Sequence, residues 1–272
     1  MGTSPGRVVG LLLAAGSGVR LGADVPKALV EVAGKPLVAW AAEALRAGGV
    51  TDVIVVVAPG QDAKPWTDAL APGLVHTLAW TGGATRAESV RTTVRGLAGT
   101  MTCVEPGFDV TSLDAVLVHD AARAFVPPEV VARVIAAVRG GAVAVAPAVP
   151  VVDSLREVWG APGGADERPI ARSRAFDRAR VRAVQTPQGF SYPVLLAAHA
   201  EPHPEATDDL VVVEAAGHPV TLVAGDERAF KITTPADLDR ARALVEAGGF
   251  VPDVTSRRLT SQDDDHQGRI VS

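Results

Sequence analysis

Val8-Val9-Gly10-Leu11-Leu12-Leu13-Ala14-Ala15-Gly16-Ser17-Gly18-Val19-Arg20-Leu21-Gly22 decides the fold. Its first half, Val8 to Ala15, is apolar without alternation. A run of that kind reads as a strand covered on both faces, the sort found in parallel sheets. Its second half is a glycine loop at the strand's carboxyl end. Such a loop exposes backbone N–H groups that can cradle phosphates. Two phosphate-binding signatures disagree with the spacing. The dinucleotide fingerprint needs G-x-G-x-x-G opening into a helix. Here Leu21 takes the third glycine's place, Gly22 comes one residue late, and Pro26 would interrupt a helix begun at Gly18. The P-loop needs G-K-[ST], and Gly34-Lys35 is followed by Pro36. What fits is a loop bearing cations, with Arg20 inside it and Lys27 just after Pro26. Nucleotidyl transfer needs this, because an anionic oxygen approaches an anionic triphosphate and charge builds on the leaving pyrophosphate. A tight turn with two solvated cations is the plainer alternative.

Outward from this stretch, short β-branched runs alternate with helical patterns. Pro36 to Ala47 reads as a helix ended by Gly48-Gly49, Val53 to Val57 as a strand, and Asp62 to Leu70 as a short helix. Val75 to Trp80 is the next expected strand and Ala87 to Leu97 the next helix. They are followed by Ala115 to His119 (strand), Glu129 to Val138 (helix) and Ala142 to Ala146 (strand). This order implies an α/β, Rossmann-like, three-layer fold with a mostly parallel sheet. Between about 150 and 184 the rhythm breaks, and a hairpin-like arm is expected to project from the sheet. Most of its arginines are expected to be solvated or paired with Asp166, Glu167 and Asp177. Helices are then expected over Pro193 to Ala200, Asp208 to Ala216 and Pro235 to Ala247, with a strand at Val220 to Val223. Residues 1–250 read as one domain and 251–272 as a disordered, polar tail.

Composition narrows the classes. The 272 residues carry a net charge of -5, with 47% hydrophobic and 21% charged residues, as expected of a globular protein without a broad nucleic-acid footprint. Cys103 is the single cysteine, which excludes an intrachain disulfide framework and a cysteine metal cluster. Neither a signal peptide nor a membrane-spanning run is evident, so a cytoplasmic location is expected. His119 and Asp120 end a buried strand, where open α/β sheets bind ligands. A carboxylate there suits Mg²⁺ or a ribose hydroxyl. His119 is expected to be structural. Lys231 reads as part of a short apolar strand, where its amine must reach a polar cleft.

Seven segments in register, AAGSGVRLG, Pro26-Lys27, GGATRAESV, HDAAR, VQTPQGF, ATDD and FKITTPADL, resemble the 2-C-methyl-D-erythritol 4-phosphate cytidylyltransferases. The resemblance runs from about Arg7 to Gly248. It implies a nucleotide-diphospho-sugar transferase type of fold and a homodimer formed through the arm. It also implies a Mg²⁺-dependent reaction of CTP with a polyol phosphate. By resemblance, Arg20 and Lys27 match transition-state stabilisers. Arg178 and Lys231 match the groups that hold the substrate phosphate. Ala14, Ala15, Gly16, Gly18, Gly82 and Ser89 fall on the nucleotide side, and Asp120 and Arg123 lie in HDAAR, with Asp120 near the metal. Ser154, Thr186 and Thr207 match hydroxyls of the alcohol site. Ser154 stands where relatives often carry Thr, Ala84 where some carry Asp, and Met101 to Leu113 looks longer than usual. A sister group uses ribitol 5-phosphate and shares most of these motifs.

Overall fold

A computed structural model describes residues 6–18, 21–62, 64–70, 78–97, 113–159, 172–203 and 205–250. The expectations for Arg20, for 75–77, for the long 101–112 segment, for the arm's turn with Asp166, Glu167 and Arg168, and for the tail lie outside those residues.

The first strand, β1, spans Arg7–Leu13. A two-stranded ribbon of β2 (Glu31–Val32) and β3 (Lys35–Pro36) precedes α1 (Leu37–Ala47). Then come β4 (Asp52–Val57), α2 (Lys64–Asp68), β5 (Leu78–Thr81), α3 (Arg86–Leu97), β6 (Leu113–Asp120), α4 (Pro128–Arg139) and β7 (Ala144–Pro150). β8 (Arg156–Trp159) and β9 (Arg172–Ala175) pair antiparallel as the arm. The chain continues through β10 (Arg182–Val184), β11 (Gln188–Phe190), α5 (Tyr192–Ala198), α6 (Asp209–Ala215), β12 (Thr221–Ala224) and α7 (Pro235–Glu246). α7 opens with Pro235 after a reciprocal cap between Thr234 and Asp237, which satisfies donors that a helix start leaves open.

Eight strands form the main sheet, in the order β5-β4-β1-β6-β11-β7, with β10 and β12 also paired to β7. The β1–β4, β1–β6, β4–β5 and β7–β12 pairs are parallel, and only β10 and β11 run against their neighbours. The continuous apolar runs make this possible, because successive side chains enter opposite cores. Val8 and Leu12 pack with Leu37, Val131 and Ile135 beneath α1 and α4, whereas Val9 and Leu11 pack with Val90, Leu195 and Val212 beneath α3, α5 and α6. The three layers are those expected. Register then sets the site: Leu13 is level with Val56 on one side and Asp120 on the other, so three strands end together.

Three local features depart from the sequence reading. The ribbon of β2 and β3 and the antiparallel β10 and β11 have no long β-branched run to announce them. The strand expected at Lys231 is absent: residues 230–233 are irregular between a 3₁₀ turn (Glu227–Ala229) and α7. The apolar residues there act as anchors. Ile232 is fully buried, and its N–H donates to Ala122 O at 2.8 Å.

Candidate active site

The aligned strand ends open into a cleft of about 330 Å³ lined by Ala14, Ala15, Gly16, Lys27, Gly83, Ser89, Asp120 and Lys231, among others. The glycine loop forms one wall. Ala14 N–H donates to Val56 O at 2.8 Å and Ala121 N–H to Leu13 O at 3.1 Å, which ties the loop's root to both neighbouring strands. The loop then folds back on itself, with Lys27 N–H donating to Gly16 O at 3.1 Å. The Lys27 stem passes so close over Gly16 that a Cβ there would sit 3.2 Å from Lys27 Cε. Gly18 has φ +77, and a Cβ on it would lie 3.1 Å from Val25 O. Only glycine suits that turn, so Gly18 shapes the wall without lining it. Arg20 lies outside the described residues.

The opposite wall is the turn between β5 and α3. Ser89 is buried, and its hydroxyl accepts from Gly83 N–H at 3.0 Å and lies 2.8 Å from Thr85 O, to which it can donate. The hydroxyl braces the loop from behind and leaves backbone facing the cleft. A Cβ at Gly82 would come within 2.5 Å of Ser89 Oγ, so Gly82 too is a packing requirement of this turn.

Asp120 is the floor. Its backbone N–H donates to Thr186 Oγ1 at 3.1 Å, and that hydroxyl lies 2.9 Å from His119 Nδ1. His119 Nε2 is 3.3 Å from Arg123 O. A carbonyl can only accept, so Nε2 carries the proton and Nδ1 accepts from Thr186. Burial pushes the His119 pKa down to about 4, and the ring is neutral at neutral pH. Both ring nitrogens of His119 are thus engaged within the fold. Thr186 is likewise buried behind Asp120, with its hydroxyl engaged on both sides.

The Asp120 carboxylate lies between two cations. Lys231 Nζ is 2.7 Å from one oxygen and Arg86 Nε 3.7 Å from the other. Burial would push its pKa up, but Lys231 and Arg86 outweigh burial and hold it at about 2. Arg86 was not singled out among the candidate residues. It also pairs with Asp209, a fully buried carboxylate, at 2.6 Å. The clue in the sequence is a cation at the first position of a helix, where the helix dipole disfavours positive charge.

Arg123 turns inward: it donates to Ala229 O at 2.7 Å and to Val184 O at 3.4 Å. It holds the segment before Lys231 in place rather than facing the cleft. Ser154 and Arg178 are exposed on the arm, where the Arg178 guanidinium donates to Val152 O. Arg174, Arg178, Arg180 and Arg182 are exposed, and Asp166 and Glu167 lie outside the described residues. Asp177 accepts from Ala179 N–H, and Arg174 pairs with Glu157 at 2.6 Å. Thr207 is exposed just before α6. None of Ser154, Arg178, Thr186 and Thr207 lines the cleft. Among the described residues no group of three or more His, Cys, Asp or Glu could hold a metal, and no helix is long and apolar enough to cross a membrane.

Known proteins share the sequence and the fold that carry this cleft. The family described as IspD, 2-C-methyl-D-erythritol 4-phosphate cytidylyltransferase, matches residues 8–247. The chain belongs to that family. A relative of that name from Nocardia farcinica is 45% identical over 241 residues, 89% of this chain and 95% of its own length. Another from Streptomyces coelicolor is 42% identical over 90% of this chain and 87% of its own. The crystal structure of a 2-C-methyl-D-erythritol 4-phosphate cytidylyltransferase from Thermus thermophilus superposes with a TM-score of 0.65 at 35% identity, covering 89% of this chain and all of that one. Family membership makes the protein a nucleotidyltransferase, an enzyme, on the Rossmann-like fold.

Proposed function

We propose that the protein converts CTP and 2-C-methyl-D-erythritol 4-phosphate into 4-diphosphocytidyl-2-C-methyl-D-erythritol and pyrophosphate. The observation that carries this is the Lys231–Asp120 pair facing the Lys27 loop across one cleft. A phosphate oxygen of the acceptor attacks the α-phosphorus of CTP. The new P–O bond forms as the bond to the bridging oxygen breaks, and pyrophosphate leaves with that electron pair. The nucleophile is already ionised at neutral pH, so the protein's task is positioning and charge neutralisation. That suits a site whose one strand-end histidine is buried, neutral and engaged elsewhere. Lys27 and Arg20 stabilise charge on the α-phosphate and leaving group. Lys231 and Arg178 hold the acceptor phosphate. The glycine turn at 82–83 meets the base. Ser154, Thr186 and Thr207 belong to the alcohol side, Thr186 through its hold on Asp120.

Mg²⁺ fits the donor set: Asp120 is an ionised carboxylate on the cleft floor, and Mg²⁺ takes one or two carboxylates together with substrate phosphates. When bound there it would neutralise charge on the triphosphate. The enzyme works as a cytoplasmic homodimer that does not bind nucleic acid. Val158, Trp159 and Phe176, apolar side chains exposed on the arm, support an interface there. Such a dimer would bring Ser154 and Arg178 to a neighbour's cleft. Pyrophosphate release measured with a panel of nucleotides and polyol phosphates tests the reading. Turnover is expected with CTP and methylerythritol phosphate. Turnover with ribitol 5-phosphate alone would overturn the acceptor, and indifference to the base would overturn the nucleotide.

A further inference from the structure

Beneath the cleft lies a charged group that the proposed reaction does not use. Asp209, at the first turn of α6, is fully buried, yet it meets Arg86 Nη1 at 2.6 Å and His199 Nε2 at 3.2 Å. A buried carboxylate is costly unless paired and hydrogen-bonded. Burial works against the charge on Arg86, but Asp209 and Asp120 raise its pKa. Arg86 is not sealed in with Asp209. It lines the cleft, its side chain remains 26% exposed, and its Nε lies 3.7 Å from Asp120 Oδ1. One planar guanidinium therefore reaches two carboxylates, one buried and one on the cleft floor.

We infer that Arg86 is a positioning residue of the active site, anchored by Asp209 and His199 so that it fixes Asp120 from the side opposite Lys231. The geometry explains why two cations are present. Lys231 is bound to Asp120 at 2.7 Å, and a phosphate arriving in the cleft competes for that ammonium. The Lys231 side chain is also 43% exposed, whereas the Arg86 side chain is 26% exposed and held by a buried carboxylate. Arg86 remains in place when Lys231 turns to a ligand, and Asp120 keeps its orientation. The same side chain connects the GGATR turn on the nucleotide side with the ATDD segment at α6. This inference rests on the reading of the cleft as a CTP site.

The test is a double-mutant cycle between positions 86 and 120, read in CTP affinity by calorimetry with Mg²⁺ and in kcat. Arg86→Lys keeps a cation for Asp209, but a single ammonium on a different stem cannot serve both carboxylates. It is expected to lower kcat at least about tenfold and to weaken CTP binding. In an Asp120→Asn background the same change should cost less than about threefold, because it acts through Asp120. Losses that multiply, or a loss below about threefold in the wild-type background, would overturn the inference and leave Arg86 as a brace between helices. If Arg86→Lys lowers thermal stability, the Arg86→Gln/Asp209→Asn pair, which leaves no buried charge unpaired, carries the cycle instead. Failure of the reaction reading is separable: a wild-type protein that binds CTP but turns over no polyol phosphate would overturn the acceptor reading, while the affinity cycle still decides the role of Arg86.

Discussion

The cleft and the arm are both rich in cations, and they handle them in opposite ways. At the cleft, Lys231 and Arg86 converge on Asp120 from segments anchored in opposite cores, Ile232 in the one with α1 and α4 and Val90, on α3 itself, in the other. On the arm, Arg156, Arg174 and Arg178 face solvent and bond within the arm, to Ser173, Glu157 and Val152. Coulomb energy scales inversely with the local dielectric, so the same charge does far more work at the half-buried cleft than on the arm. Charge alone therefore does not mark a site. What marks it is charge that the fold holds in place out of water.

The largest effect is expected of Lys27→Ala. The lysine lies over Gly16 at the mouth of the sheet, where charge develops on the triphosphate. Its removal should lower kcat by about a hundred- to a thousandfold, with a smaller change in the KM for CTP. Steady-state pyrophosphate release measures both. A variant that kept wild-type turnover would remove the loop from the chemistry.

A second test uses pH. The folded pKa of His119, about 4, lies below its ordinary value of 6.5. Between those values the unfolded chain binds the proton and the folded chain does not. The resulting stability is full above pH 6.5 and declines as pH falls through 4, by roughly 3 kcal/mol in total. Asp120, held at about 2, titrates below this window. Urea unfolding from pH 7.5 to 4.5 should show the decline, and His119→Asn, which keeps an acceptor for Thr186, should flatten it. Equal slopes in the two proteins would show that the strand end is not dry.

The contrast also explains what could be read from the sequence. Continuous apolar runs such as Val53 to Val57 gave the layers, because a strand buried on both faces has no other composition available. The glycine loop and Asp120 were legible because they sit where strands end. Three things were less legible. The β10 and β11 strands have their partners far away in sequence, on β6 and β7. Lys231 sits on an anchored irregular segment, which apolar flanks make look like a strand. Arg86 leaves only a faint local signal, a cation at the start of a helix, and its buried partner Asp209 lies 123 residues later. The arm shows the reverse failure: a dense run of arginines is conspicuous in sequence, yet Arg178 does not line the cleft at the strand ends.

Arg178 decides whether the arm acts on a neighbour. Arg178→Ala should raise the KM for the acceptor roughly ten- to a hundredfold, the range of a lost charge-assisted hydrogen bond, with kcat for saturating acceptor much less affected. Mixing it with Lys27→Ala, assayed with the acceptor far below the raised KM so that both parents are nearly inactive, identifies the subunit. If the arm serves the partner's cleft, randomly re-formed mixed dimers each contain one intact site, and about a quarter of wild-type activity returns. If Arg178 serves its own cleft, the mixture stays as inactive as its parts.

The smallest effect should come from the arm's own ion pair. Arg174 and Glu157 meet at 2.6 Å, but their side chains are 66% and 38% exposed, and Arg174 also lies 5.0 Å from the Trp159 ring centroid. High dielectric and lost side-chain entropy limit a pair of this kind to about 1 kcal/mol or less, and salt screens it further. Arg174→Gln should therefore shift the unfolding free energy by less than about 1 kcal/mol and leave the KM for CTP unchanged. A larger destabilisation that vanished on dilution would mean that a second subunit covers this pair. The arm's charges would then obey the rule of the cleft, gaining strength only where another surface excludes water.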